Sequence, residues 1–359
     1  MKDLKPDLYR NHLESDGRNK VKIGLVLSGG GARGAYEVGV MKYMSEIGMF
    51  PGAYSGNSIG ALNGMILAGS DSFSQGVQNL LDIWENINSE DMLKIDMLKI
   101  DPYTLISLAL LVQFPQFAIL IDRLKPQLKE FIPFIERSHK GLLDETPIRN
   151  LLENVNITQT VPLWVALYPA QGSTIKHSIM AAFQSLAAKL KLTDWQKPHF
   201  IKIQSLEPQE RVEAILGSAA LPILFAAKVI DGKPYVDGGL SGLEGNTPIT
   251  PLIEKEHCQV CIVTHLTDGS LWDRNNYPDT TIIEIRPQKP IHPEGKFKTI
   301  MNFSSVRISE WIEQGYEDAR RCIGDVVDWL DLDYRLKQAK ERQQKAMDSL
   351  KHPDKLDME

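Results

Sequence analysis

The stretch VKIGLVLSGGGARGAYEVGV, Val21 to Val40, limits what this chain can fold into more than any other feature. VKIGLVL is an apolar run without alternation, the pattern of a strand buried on both faces. Three consecutive glycines then place unrestrained backbone at the strand's end. GAYEVGVMKYMSEIG follows and reads as a helix, with Val38, Met41 and Met44 on one side and Gly48 as its stop. A buried strand, a glycine loop and a helix form the opening unit of an α/β fold.

The rest of the chain repeats that alternation. AYSGN reads as a short strand, and SIGALNGMILAG as a helix of small residues able to pack closely on a sheet. PLWVALYPA, HFIKIQS, QVCIVTHL and TTIIEIR read as later strands, and VIDGKPYVDGG as a hairpin turning at Asp231–Gly232. TPITPLIEKE reads as a helix with Thr247 as cap and Pro248 at its first position. The expected fold is therefore α/β, with a mainly parallel central sheet flanked by helices. One domain spans 21–330, with an apolar helical insertion at about 90–138. A polar extension, 1–20, precedes it and a polar helical tail, 331–359, follows. MLKID occurs twice in tandem, at Met92–Asp96 and Met97–Asp101, and no function attaches to the duplication.

Composition narrows the function classes. With 359 residues, 43% of them hydrophobic, the chain can bury an ordinary globular core. Its formal net charge of -6 gives no support for a nucleic-acid partner. Three cysteines argue against a disulfide framework, and the charged first twenty residues lack the apolar core of a signal peptide. The expected setting is cytoplasmic. Cys258 and Cys261 form a single C-x-x-C within a β-branched strand, where residues three apart do not converge, so they read as structural and no metal is expected.

GGGARG, Gly29 to Gly34, has the G-x-G-x-x-G spacing of dinucleotide-binding folds. That use also needs an acid about 20 residues on to hold a ribose. Ile47 to Ser70 contains neither Asp nor Glu. GNSIG, Gly56 to Gly60, supplies a different key: G-x-S-x-G with Ser58 at its centre. A serine at a sharp strand-to-helix turn needs small residues two positions away on either side, where helix and strand crowd. The Ile59 amide then points at an oxyanion formed by attack of the hydroxyl. The two motifs fit one chemistry, acyl transfer. Gly29, Gly30 and Gly31 would form an oxyanion hole, and Arg33 would steady the loop or draw in an anionic head group.

A serine hydroxyl needs a base. None of the eight histidines has flanks that suggest a catalytic loop; His265, at a strand end, is the best placed. The stronger candidate is Asp237 in YVDGGL, followed by Gly238 and Gly239, where a bland reading is a D-G turn.

With these residues in place, the chain resembles the patatin-like phospholipases, which carry a glycine-rich loop with a following Arg/Lys-Gly, a G-x-S-x-G serine and a D-G-G/A aspartate. The likeness extends to GLLDETPIRNLL, GSAALPILF and WIEQGYEDAR, and covers most of Val21 to about Gly324. Ser28 stands where many members have Asp, and Ala226–Ala227 replaces a proline often found there. The resemblance implies a three-layer architecture and a Ser–Asp dyad without histidine, Ser58 the nucleophile and Asp237 its base. It implies Gly29, Gly30, Gly31 and Arg33 in the oxyanion loop, with Gly34, Gly56, Gly60, Gly238 and Gly239 as motif glycines. The activity it implies is hydrolysis of fatty-acyl esters of phospholipids or other acyl lipids, without metal or organic cofactor, by a protein peripheral at a membrane surface. A soluble-ester esterase or thioesterase and a catalytically idle lipid-binding module are the competing readings.

Pro102 to Ile121, PYTLISLALLVQFPQFAILI, carries no charge. It is long enough to raise a transmembrane helix, but Gln113, Pro115 and Gln116 near its middle weigh against one. A buried helix pair and a lid or interfacial segment beside an acyl pocket are the other readings.

Overall fold

The structure is a computed structural model; it describes residues 21–87, 145–157, 161–172, 181, 196–220, 225–267, 270–291, 302–324, 343 and 347. The extension 1–20, the insertion with Pro102–Ile121, nearly all of the tail 331–359, and His292 lie outside the described residues.

Strand β1, Ile23–Leu27, is buried at all five positions. Ile23, Leu25 and Leu27 enter the main core, while Val26 enters a second cluster on the opposite face. This two-sided burial is what the unalternating apolar run requires. Parallel neighbours flank β1: β2, Ala53–Gly56, on one side and β7, Val260–Thr264, on the other. β8, Thr281–Ile285, extends the sheet beyond β7, and β3, Leu163–Pro169, extends it beyond β2, both in parallel. β3 then takes two antiparallel partners. β4, His199–Lys202, pairs with Trp164 to Leu167, and β6, Lys233–Asp237, pairs with Leu167 to Pro169. β5, Lys228–Ile230, joins β6 through a hairpin in which Asp231 and Gly232 have φ of 47° and 70°, the geometry of a primed turn. The sheet order is β5-β6-β3-β2-β1-β7-β8.

Helices cover both faces. On the main face lie α1, Gly34–Glu46, α2, Ile59–Ala68, and α3, Phe73–Asn86. α4, Thr146–Glu153, and α5, Pro208–Ser218, adjoin one another, α5 lying on β3, β5 and β6. α6, Leu243–Asn246, and α7, Thr250–Glu254, follow the aspartate strand, and the residues 305–324 form α8. α1 is buried nearly all round rather than on the one side its pattern suggests. The reason is α8: a Cβ on Gly39 would lie 1.8 Å from the Ile312 carbonyl oxygen, and one on Gly315 would lie 1.9 Å from that of Tyr36. The two helices meet backbone to backbone.

Two local expectations are corrected. α7 starts two residues later than expected, at Thr250, with Ile249 in place of Thr247 at the cap and Pro251 in its first turn. The Thr247 hydroxyl is engaged 3.0 Å from Ser28 Oγ, and its amide donates to the Leu243 carbonyl. Cys258 and Cys261 also do come together. Cys258 precedes β7 rather than lying within it, and both sulfurs lie against Gly24. Among the described residues, no helix is long and apolar enough to cross a membrane.

The helix contact gives a test. Gly39→Ala should lower stability by about 2 kcal/mol or more, the cost of overpacking a rigid contact. Urea unfolding measures it, and an unchanged midpoint would contradict the close approach of α1 and α8.

Candidate active site

The chain leaves β2 at Gly56 and enters α2 at Ile59 with two residues between. The helix therefore stacks directly on the strand ends. A Cβ on Gly60 would lie 2.3 Å from the Leu27 carbonyl oxygen, and one on Gly56 would lie 2.5 Å from that of Gly60. Only glycine fits either place. Ser58, half-buried, makes the turn at φ 53° and ψ -122°, a conformation that L residues rarely adopt.

Two polar side chains hold this strained turn, and neither was singled out from the sequence. The Ser58 amide donates to Ser218 Oγ at 3.0 Å, and Ser218 Oγ lies 2.8 Å from the Ala166 carbonyl and 3.2 Å from Asn57 Oδ1. Asn57 Nδ2 donates to Asp237 Oδ1 at 3.2 Å. Ser218 lies inside the GSAALPILF segment that carries part of the resemblance; Asn57 is the variable second residue of G-x-S-x-G, where no residue type is demanded.

The sheet order brings Asp237 to this end. Gly56 is level with Val165 on β3, and Asp237 lies opposite Leu167 of the same strand. The Asp237 carboxyl is buried, and the Ser58 hydroxyl is near enough to lower its pKa. Its Oδ1 also accepts from the Gly239 amide at 2.7 Å. Burial pushes the carboxyl up to about 6, against the lowering effect of the hydrogen bonds from Gly239, Asn57 and Ser58. Gly238 lies against the Ala166 carbonyl, with no room for a side chain.

The glycine loop closes over the same place, since a Cβ on Gly29 would lie 3.4 Å from that of Ser58. Its amides are not equivalent. The Gly29 amide donates to the Asn246 carbonyl at 3.1 Å, which ties the loop to α6. Those of Gly30, Gly31 and Ile59 have no acceptor among the described residues. Gly31 has φ 59°, so the turn that presents these amides requires glycine. Arg33 is buried; its Nε donates to the Gly30 carbonyl at 3.0 Å, and its Nη1 donates to the Leu266 carbonyl. It clasps the loop to the segment after β7. Gly34 starts α1 against Ile59 and Trp84.

His265 is placed elsewhere. It is buried with Nε2 3.0 Å from Glu284 Oε2 and is held neutral, its pKa lowered to about 4 by burial and by Arg286.

The family model described as patatin-like phospholipase matches residues 25–253, and the chain belongs to that family. Membership supports a lipid hydrolase. A lysophospholipase nte1 of Aspergillus terreus is 45% identical over 65 residues, a match covering 18% of this chain and 4% of that protein. Among solved structures, VipD from Legionella pneumophila aligns over 86% of this chain and 67% of its own, with 14% identity and a TM-score of 0.42.

The strain at the turn is measurable without any substrate. Ser58→Gly should be more stable than Ser58→Ala by about 1–2 kcal/mol, because both lose the hydroxyl and only alanine retains the cost of positive φ. Equal stability of the two variants in urea would contradict the strained turn.

Proposed function

We propose that the chain is a lipid acyl hydrolase of phospholipase A type that works through an acyl-serine intermediate. The observation that carries this is a serine on a strained turn set beside a buried carboxyl. Asp237, ionised, takes the Ser58 proton as Oγ attacks the acyl carbonyl. The oxyanion accepts hydrogen bonds from the amides of Gly30, Gly31 and Ile59, each donor worth about 3–4 kcal/mol of barrier. Gly29 and Arg33 brace the loop that presents them. Collapse of the intermediate expels the alcohol, which takes the proton from Asp237. Water, deprotonated by Asp237, then releases the fatty acid.

A free aspartate is a weak base for a serine. Burial raises this one to about 6, so it is a stronger base and yet ionised at neutral pH. The same shift has a stability sign. The fold favours the neutral carboxyl, so the stability it contributes is present below about 3.8 and is lost as pH rises through about 6. Oδ1 already accepts from Gly239 and Asn57, and an asparagine keeps that acceptor.

The substrate class we infer is the acyl lipid of a membrane surface, met by a peripheral cytoplasmic protein. The family supports this class, and the formal net charge of -6 gives no support for a nucleic-acid partner.

Fatty-acid release from mixed phospholipid vesicles tests the proposal, alongside hydrolysis of a soluble short-chain ester. Ser58→Ala and Asp237→Asn should each lose about 10³-fold or more in kcat. Near wild-type turnover by either folded variant refutes the dyad. Turnover of the soluble ester with no release from vesicles would mark a soluble esterase instead. In wild type, kcat/KM should fall below about pH 6, and a profile flat down to pH 4 would contradict Asp237 as base. At pH 7.5, Asp237→Asn should be more stable than wild type, by up to about 3 kcal/mol.

A further inference from the structure

The proposed reaction uses Asp237 twice, once to take the Ser58 proton and once to take a proton from water. A single bond to Asp237 leaves that water free to rotate, so its orientation needs a second group. Exposure divides the residues around the dyad into a floor and a mouth. Asn57 and Asp237 are buried, while Gly29, Gly30, Gly31, Ser58, Gly239 and Asn246 are each partly exposed. Of these six, only Ser58 and Asn246 carry a polar side chain.

Asn246 ends α6, and its carboxamide reaches over two of the glycines. Its Oδ1 lies 2.6 Å from the place a Cβ on Gly29 would take and 3.3 Å from the corresponding place on Gly239. Ser58 Cβ is 3.4 Å from the first of these points, and Asp237 Oδ1 is 3.0 Å from the second. Asn246 Oδ1 is therefore no more than about 6 Å from both the nucleophile's Cβ and the base, the span of one water making two hydrogen bonds of about 2.8 Å.

The backbone around Asn246 is fixed without help from this side chain. Its amide donates to the Gly242 carbonyl at 3.0 Å, and its carbonyl accepts from the Gly29 amide at 3.1 Å. Before it, a Cβ on Gly245 would lie 2.0 Å from the Gly238 carbonyl oxygen; after it, Thr247 Oγ1 lies 3.0 Å from Ser28 Oγ. Any residue at 246 would offer the same carbonyl to the glycine loop. The carboxamide itself has no hydrogen-bond partner among the described residues.

Attack on an acyl-serine needs a water with a lone pair aimed at the acyl carbon and both of its protons accepted. Asp237 Oδ1 already accepts from Asn57 and Gly239, which leaves Oδ2 to take one proton. The other needs a second acceptor, and a carboxamide oxygen is one.

We propose that Asn246 orients the deacylating water, its side-chain oxygen accepting one hydrogen bond while Asp237 removes the other proton. The role rests on the hydrolase reading of Ser58. As the water oxygen bonds to the acyl carbon, its proton passes to Asp237 and the carbonyl pair moves onto the oxyanion. When that pair returns, the bond from the acyl carbon to Ser58 Oγ breaks, and Asp237 gives its proton to Oγ. Fatty acid and free enzyme result. Asn246 takes no part in acylation, where Ser58 itself supplies the proton.

The test separates the two half-reactions with a soluble nitrophenyl ester, whose good leaving group makes deacylation the slow step. Asn246→Leu keeps the size and removes both polar atoms; Asn246→Ala removes the side chain. Each should lose about tenfold or more in kcat, the effect of a misplaced reactant. KM should fall in step, so that kcat/KM, which reports acylation alone, stays near wild type. Mass spectrometry of protein quenched during turnover should find most variant molecules acylated on Ser58. An unchanged kcat overturns the proposal. So does a fall in kcat/KM as large as that in kcat with no acyl-enzyme, which marks a scaffold or substrate contact and leaves the hydrolase reading standing. A side chain without protein partners is dispensable for folding, so failure of both variants to fold overturns it too. Wild type inert toward both the ester and phospholipid vesicles would instead refute the hydrolase reading, and the role of Asn246 with it.

Discussion

The backbone of α2 touches the backbone at the end of β1, with no side chain between Gly60 and the Leu27 carbonyl. That contact dictates the site. It leaves two residues, Asn57 and Ser58, to turn the chain from strand to helix, and forces Ser58 into positive φ. The strain persists because the surroundings over-determine it: Ser218 accepts from the Ser58 amide while Asn57 reaches Asp237. The same turn leaves the Ile59 amide without an acceptor among the described residues, beside a glycine loop that is bound to α6 through Gly29 and to the segment after β7 through Arg33.

Two buried acids lie around this turn, and their environments differ in what they demand. Asp237 accepts from Asn57 and Gly239 and is raised only to about 6, so it is ionised at neutral pH and fit to take a proton. Glu37 is raised to about 8 and sits where neutral groups can share its proton. Desolvation drives both shifts, and hydrogen bonds to the charged form oppose each.

Much of the fold was legible because local rules and tertiary burial agree. β1, β2, β3 and β7 are apolar runs that lie buried in the sheet, and the Asp231–Gly232 turn announces its hairpin by residue type. The start of α7 misled because the chain offers two Thr-Pro pairs in succession, and a tertiary bond to Ser28 removes Thr247 from capping. No strand order was read from the sequence, and the pairing of Ser58 with Asp237 was implied by the family resemblance and not by the residues themselves. Asn57 and Ser218 were missed because their roles depend on a contact across the fold. Glu37 was missed for a different reason: an acid in the first turn of a helix looks like an ordinary partner of the helix dipole. Its apolar neighbours on every side were the available sign that it is buried.

Reaction with a fluorophosphonate, followed by peptide mass spectrometry over a range of pH, tests the central claim most directly. A Ser58 nucleophile activated by Asp237 predicts a single covalent adduct on the peptide that contains Ser58, formed at a rate that rises with pH through a midpoint near 6. An adduct on another residue, or none on Ser58 in the folded wild-type protein, would contradict it.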